Sequence, residues 1–261
     1  MRRQTRQRLL RGALYAAFIV AVVVIAVSAN WETIQRAFLN GDVASRMFPE
    51  VLTIAAKNTI LYTAGAFTFG LILALVLALM KGSSIKPYRW FANAYIELFR
   101  GLPALVTIII IAFALPIALG ISIPGGTLVR GSVALGIVAA AYMAETIRAG
   151  IEAVPRGQME AARSLGMSRG MAMAFIVLPQ AFRIIIPPLT NELVLLLKDT
   201  SLLFVIGTTP ITKELTKFGR DFMSDTFNGT PLTVIALVYL AITLPLTRVV
   251  ARLEKSAARA R

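Results

Sequence analysis

Residues 158–180 read QMEAARSLGMSRGMAMAFIVLPQ, a polar and basic island set between two apolar runs. Within it, Glu160-Ala161-Ala162 is followed by Gly166, then by Ile176 and Leu178-Pro179, a spacing of EAA-xxx-G-x9-I-x-LP. Met159, Ala161, Ala162 and Leu165 favour a helix over about residues 158–165, and Pro155 suits its first turn. Gly166 can take the left-handed conformation that ends a helix and turns the chain. Met167 follows it, and Ser168 is a good cap for a second short helix through Arg169 to about Ile176, which Pro179 is expected to end. The pattern predicts a compact helix-turn-helix that moves as a body. Glu160 stands in the N-terminal half of the first helix, placed to stabilise it or to pair with a basic partner. A plain amphipathic loop on a bilayer surface shares some of this composition, but not the complete spacing.

Outward from the island the chain turns apolar on both sides. The whole sequence of 261 residues is 57% hydrophobic and 15% charged, against about 25% charged for soluble domains. Apolar runs near the length of a bilayer span recur at about 14–29, 52–80, 94–119, 131–150, 183–206 and 231–250. They do not alternate as barrel strands do. The predicted fold class is therefore all-α, a polytopic helical membrane protein with six transmembrane helices. Val27-Ser28-Ala29 resembles a signal-peptide cleavage site, but the apolar run before it is at the long end for such a segment, which favours an uncleaved first span. Domain organisation follows: residues 1–50 hold a basic terminus, an N-terminal helix and an outer loop; 51–250 form the main membrane domain, with the polar loop at about 151–180; 251–261 are a basic tail.

Charge orients the six spans. An even number puts both termini and the 160s loop on one side. That side carries Arg2, Arg3, Arg6, Arg8 and Arg11, then Lys81, Lys86, Arg89 and Arg100. It also carries Arg148, Arg156, Arg163, Arg169 and Arg183, then Arg248, Arg252, Lys255, Arg259 and Arg261. Its only acids are Glu97, Glu145, Glu152, Glu160 and Glu254, so the entire net charge of +14 falls there. The positive side is the cytoplasmic one. Orientation accounts for the basic excess, and no nucleic-acid partner is required.

Several chemistries are excluded. The chain has no cysteine and no histidine, which removes thiolate nucleophiles, disulfides, His-based triads and His or Cys metal sites. It has no Gly-x4-Gly-Lys-Ser/Thr loop, so it cannot cradle nucleotide phosphates by that motif. No internal repeat is evident, which leans away from many secondary carriers. A stand-alone carrier or channel would leave the 158–180 island unexplained, and a membrane enzyme would lack its usual catalytic side chains.

The island and its flanks resemble a known family. Tyr142-Met143-Ala144-Glu145-Thr146-Ile147-Arg148-Ala149-Gly150-Ile151 precedes it, Val154-Pro155-Arg156-Gly157-Gln158 leads in, and Leu178-Pro179-Gln180-Ala181 leads out. Pro187-Pro188-Leu189-Thr190-Asn191-Glu192 and Leu197-Lys198-Asp199-Thr200-Ser201-Leu202 follow, and Glu97-Leu98-Phe99-Arg100-Gly101-Leu102-Pro103 lies upstream. Together these resemble the polar-amino-acid permeases of ABC importers, the histidine/glutamine/glutamate/arginine group, over about residues 52–250. The resemblance implies a type I importer transmembrane domain whose EAA loop is a cytoplasmic coupling helix. Glu160, Ala161, Ala162, Leu165, Gly166, Met167, Ser168 and Arg169 would then be the contact with the ATPase. It also implies a dimer of ABC ATPase subunits carrying ATP and magnesium, a second permease subunit (sister or identical) and an extracytoplasmic solute-binding protein. This chain would bind no cofactor, catalyse no reaction itself, and reside as a multi-pass protein among the lipids of the bacterial cytoplasmic (inner) membrane, with both termini cytoplasmic. The expected cargo is glutamate, glutamine or a related amino acid. The family core has five spans, so the first helix here is an addition.

Charged groups inside spans are costly and tend to face a cavity or a partner. On the fifth span, Asn191, Glu192, Lys198 and Asp199 fall within about a third of the helix circumference, a stripe offering both signs to a zwitterionic amino acid. Lys198-Asp199-Thr200-Ser201 also belongs to the family pattern irrespective of cargo, which fits a structural or gating use as well. Lys57 and Asn58 in the second span are further binding candidates. Glu97 with Arg100, and Glu145 with Arg148, sit three residues apart at the cytoplasmic mouth, where ion pairs would serve as a gate or merely tie helix ends.

Overall fold

The computed structural model describes residues 3–120 and 122–259, and every regular element among them is helical. Arg2 and Arg261, counted in the basic termini above, lie outside the described residues. The elements are α1 (Arg3–Ser28), α2 (Trp31–Phe38), α3 (Gly41–Ser45), α4 (Val51–Gly82), α5 (Lys86–Gly101) and α6 (Ala104–Leu119), then α7 (Gly126–Glu152), α8 (Arg156–Ser164), α9 (Arg169–Ile206), α10 (Leu215–Thr226) and α11 (Thr230–Arg259). Five are long and apolar enough to cross a membrane: α1 from Leu10, α4, α7, α9 and α11. The pair α5 and α6 is long and apolar enough only when taken together, and is bent by 111° at the break between them.

Two span boundaries differ from expectation. The third span does not start near Ala94. Pro103 drives Leu102 out of helical conformation, to ψ 141, and Pro103 is itself extended at ψ 133. The helix breaks there, leaving α6 as the apolar segment and α5 as a separate amphipathic helix. The helix that carries the fifth span begins not near Arg183 but at Arg169, because Pro179 does not end the second loop helix. The turns over Met173–Val177 are wound wide, as a π-helix. This relieves the clash a proline ring makes with the carbonyl four residues back.

The centre of the bundle is the crossing of α4 and α7. A Cβ built on Gly136 meets the Ala66 carbonyl at 2.9 Å, and one on Gly70 meets the Gly136 carbonyl at 3.0 Å. Only glycines allow backbones this close, the small-residue contact by which membrane helices associate without a hydrophobic driving force. Around it Tyr62, Ala66, Ala74, Leu77, Leu135, Ala140 and Met143 are buried, with Ile185 and Leu203 of α9. A second buried cluster joins Met47, Val51 and Ala55 to Leu215 and Phe218 of α10 and Ile235 of α11. The outward faces stay apolar, with Ile72 and Leu79 of α4 and Leu237 and Leu244 of α11 exposed, as lipid contact demands.

The polar connections gather at opposite ends. At one, Asn40 N–H donates to Thr230 Oγ1 at 2.9 Å, Asn228 Nδ2 to the Arg36 carbonyl at 2.8 Å, and Gly229 N–H to the Ala37 carbonyl at 2.8 Å, tying α2 to the start of α11. At the other, α4, α5 and α7 meet at Lys81, Arg100 and Glu145. No residue of the apolar stretch of α1 is buried, and Trp31 Nε1 of α2 donates to its Ala26 carbonyl at 2.6 Å.

Candidate functional site

Glu192 and Asp199 lie two turns apart on α9 and line one cavity of about 30 Å³ with Ala104 of α6 and Val138, Ala139 and Tyr142 of α7. That space holds about one water molecule, far less than an amino acid needs. Its polar lining is two carboxylates and the Tyr142 phenol among apolar walls, an arrangement that attracts a cationic group.

Lys198 is not part of this lining. One residue on from Leu197, it turns away by about 100° from Asp199. It lies along a wider groove of about 480 Å³ against α11, with Ser201, Tyr239 and Thr243. Asn191 is exposed. The single stripe of both signs expected on the fifth span is therefore resolved into two faces, the acids toward α6 and α7 and the lysine toward α11.

Lys57 is exposed, and Asn58 is committed to structure. Its amide donates to the carbonyls of Ile211 at 2.8 Å and Lys213 at 3.0 Å. Thr59 Oγ1 accepts from Leu215 N–H at 3.1 Å, and Tyr62 O–H donates to the Thr212 carbonyl at 3.1 Å. Three polar side chains of α4 thus fasten the loop that leads into α10. Sequence reasoning missed Glu214, fully buried at the head of α10. Its oxygens accept from the N–H groups of Thr216 and Lys217, both at 2.6 Å. Burial pushes its carboxyl up to about 7, with those two hydrogen bonds opposing the shift. Nearby, Asp221 is held low by Lys213 and Lys217, whose hydrogen bonds and charges outweigh its desolvation.

At the other end, the expected pairs three residues apart do not form. Glu145 Oε2 accepts from Lys81 Nζ of α4 at 2.9 Å and faces Arg100 Nη1 of α5 at 3.8 Å. Arg148 instead reaches Glu152 at 2.6 Å, and Glu97 is exposed. Neighbouring helices bring Glu145 closer partners than its own helix does. Arg100 also lies over the Tyr142 ring, 5.8 Å from its centroid, so this cluster abuts the acid-lined cavity.

The 158–180 segment is a projecting knob. Helix α8 closes in a Schellman turn: Gly166 has φ +86, its N–H donates to the Arg163 carbonyl at 3.1 Å, and Met167 N–H donates to Ala162 at 3.2 Å. Ser168 Oγ accepts from Met171 N–H at 3.2 Å and caps the start of α9. Gln180 Nε2 donates to Gln158 Oε1 at 3.3 Å, joining the two arms. Ala162 and Ala172 are buried between the arms, while Glu160, Ala161, Arg163, Ser168 and Arg169 are exposed and Leu165 is 84% exposed. Leu165 is thus an exposed apolar side chain on an otherwise charged and polar knob.

The chain is similar to known proteins in sequence and in fold. Residues 66–259 match the family model described as binding-protein-dependent transport system inner membrane component. The chain is 38% identical over 206 residues, covering 76% of it and 89% of the relative, to the probable glutamine ABC transporter permease protein GlnM of Bacillus subtilis. It is 40% identical over 179 residues, covering 68% and 79%, to the arginine transport system permease protein ArtQ of the same organism. Among solved structures, that of an amino acid ABC transporter with histidines superposes with a TM-score of 0.74 at 38% identity, covering 81% of this chain and 96% of that one.

Proposed function

This chain belongs to the family of binding-protein-dependent transport system inner membrane components, and we propose that it is the permease subunit of an ATP-driven importer of polar amino acids. Glutamine, glutamate or a related amino acid is the cargo, delivered by an extracytoplasmic binding protein. ATP and magnesium are held by a separate dimeric ATPase, and a second permease subunit, identical or sister, completes the pathway. Both termini face the cytoplasm of a bacterial inner membrane, in line with the one-sided basic charge.

The observation that carries this reading is continuity. Helices α7 and α9 wall the acid-lined cavity, and their near ends run directly into the two arms of the knob, through Glu152 to Arg156 and from Ser164 to Arg169. A push on Leu165 and its exposed neighbours is delivered to the two helices that must part for the cavity to admit an amino acid. Glu192 and Asp199 then accept the ammonium group of the cargo. The Lys81–Glu145–Arg100 cluster closes the cytoplasmic mouth when the helices come together.

The test is uptake of labelled amino acids into vesicles holding the chain with its co-purifying ATPase and binding protein. ATP-dependent uptake is expected, with the half-saturating concentration raised about tenfold or more in Glu192→Gln and Asp199→Asn, as when a charge-assisted contact is lost. A chain that purifies alone and transports without ATPase would overturn the reading in favour of a secondary carrier.

A further inference from the structure

Helix α5 belongs to neither the cavity nor the knob. Its residues sort into three strips when placed at about 100° each. Ala92 and Ile96 are buried against the bundle, and Tyr95 O–H donates to the Ile137 carbonyl of α7 at 2.7 Å. A second strip, Phe91, Ala94 and Leu98, is apolar and exposed, with Phe91 60% and Leu98 54% accessible. The third, from Lys86 and Arg89 to Glu97 and Arg100, is polar and exposed. Trp90, 80% exposed, stands on the border between the apolar and polar strips.

A helix that is apolar on one outward flank and charged on the other has one comfortable position, the boundary between hydrocarbon and water. The neighbouring geometry sets α5 there. Lys81, just before it, and Arg100, at its end, share the carboxylate of Glu145, so the two ends of the α4–α5 connection return to one level of α7. The bend of 111° then sends α6 into the membrane. Arg100 shares the Glu145 carboxylate with Lys81, but among the described residues Lys86 and Arg89 have no carboxylate partner.

We propose that α5 lies in the cytoplasmic leaflet interface and that Lys86 and Arg89, beside Trp90, hold the phosphate of an anionic phospholipid. The occupant follows from charge and depth. Two unpaired cations flanking an indole at the hydrocarbon edge complement an acidic headgroup above acyl chains. The site fixes α5 between α4 and α6, and Lys86, Arg89 and Trp90 line neither the acid-lined cavity nor the knob. It rests on the membrane orientation proposed above, and its test reads lipid contact and needs no transport.

The chain has two tryptophans, Trp31 and Trp90, so Trp31→Phe leaves Trp90 as the sole reporter. The full chain with this substitution is reconstituted in phosphatidylcholine vesicles containing brominated phosphatidylglycerol or brominated phosphatidylcholine. Trp90 fluorescence is expected to be half-quenched at a fraction of brominated phosphatidylglycerol at least about fivefold lower than of brominated phosphatidylcholine. Lys86→Gln with Arg89→Gln should bring the two to parity without loss of helical circular dichroism. Equal quenching by both lipids in the chain with Lys86 and Arg89 intact would show ordinary annular contact and overturn the proposal. Quenching by neither would show a protein surface covering α5 and overturn it as well.

Discussion

Lys81 Nζ at the end of α4 and Glu145 Oε2 on α7 meet at 2.9 Å, with Arg100 of α5 at 3.8 Å from the same oxygen. One carboxylate thus joins α4, α5 and α7. Its side chain is 37% accessible, so the pair contributes no more than about 1 kcal/mol to stability. That is still about a fivefold shift in a two-state equilibrium between open and closed mouths. Glu145→Gln should therefore lower ATP-driven uptake about fivefold while leaving the melting temperature within a few degrees. The exchanged pair Lys81→Glu with Glu145→Lys should recover part of the uptake. No recovery in the exchanged pair, with folding intact, would remove this contact from the gate.

Gly166 sits at φ +86 with nothing within 4 Å of where a Cβ would stand. Substitution there is penalised by backbone conformation and not by crowding. Gly166→Ala should cost about 1–2 kcal/mol locally and weaken coupling partially. Gly166→Pro cannot adopt the angle at all and should abolish uptake while the spans still insert. Glu160→Lys, on an exposed face, should weaken ATPase docking with no loss of stability. The measurement is the ratio of amino acid taken up to ATP hydrolysed. An unchanged ratio in both Gly166→Pro and Glu160→Lys would sink the coupling role.

These cases mark where sequence was sufficient. Gly166 and Ser168 were legible because a left-handed turn and a cap are preferences of single residues. The spans were legible because hydropathy accumulates over many residues. The same averaging hid the break at Leu102-Pro103 and let α5 pass as part of a span. The partner of Glu145 was not legible, since Lys81 reaches it only through the packing of α4 on α7. Nor was the parting of Lys198 from Asp199: helical spacing gives the angle between them, but not which neighbouring helix stands opposite each.

Glu214 supplies a pH dependence with a definite sign. Its carboxyl titrates near 4.5 when unfolded and at about 7 in the folded chain, where burial raises it. Between those values folding takes up a proton, so the stabilising contribution is full below about 4.5 and is lost as pH rises through about 7. Its size is on the order of 3 kcal/mol. The melting temperature should rise as pH falls from 8 to 5, and Glu214→Gln should flatten that rise. A slope unchanged in the variant would assign the proton to another group.

Asn58 is the residue for which a binding role and a structural role give opposite results. Its two donors are spent on the carbonyls of Ile211 and Lys213, and Asn58→Ala leaves both carbonyls without them, at a cost of about 1–3 kcal/mol. The loop from Gly207 to Glu214 should loosen, with faster amide exchange at Leu215, whose N–H is held by the adjacent Thr59. The half-saturating concentration of the amino acid should not change, because the acid-lined cavity is built by α6, α7 and α9 and receives nothing from Asn58. If instead affinity falls while exchange at Leu215 is unaltered, Asn58 is a ligand and the cavity between α7 and α9 is not the whole site.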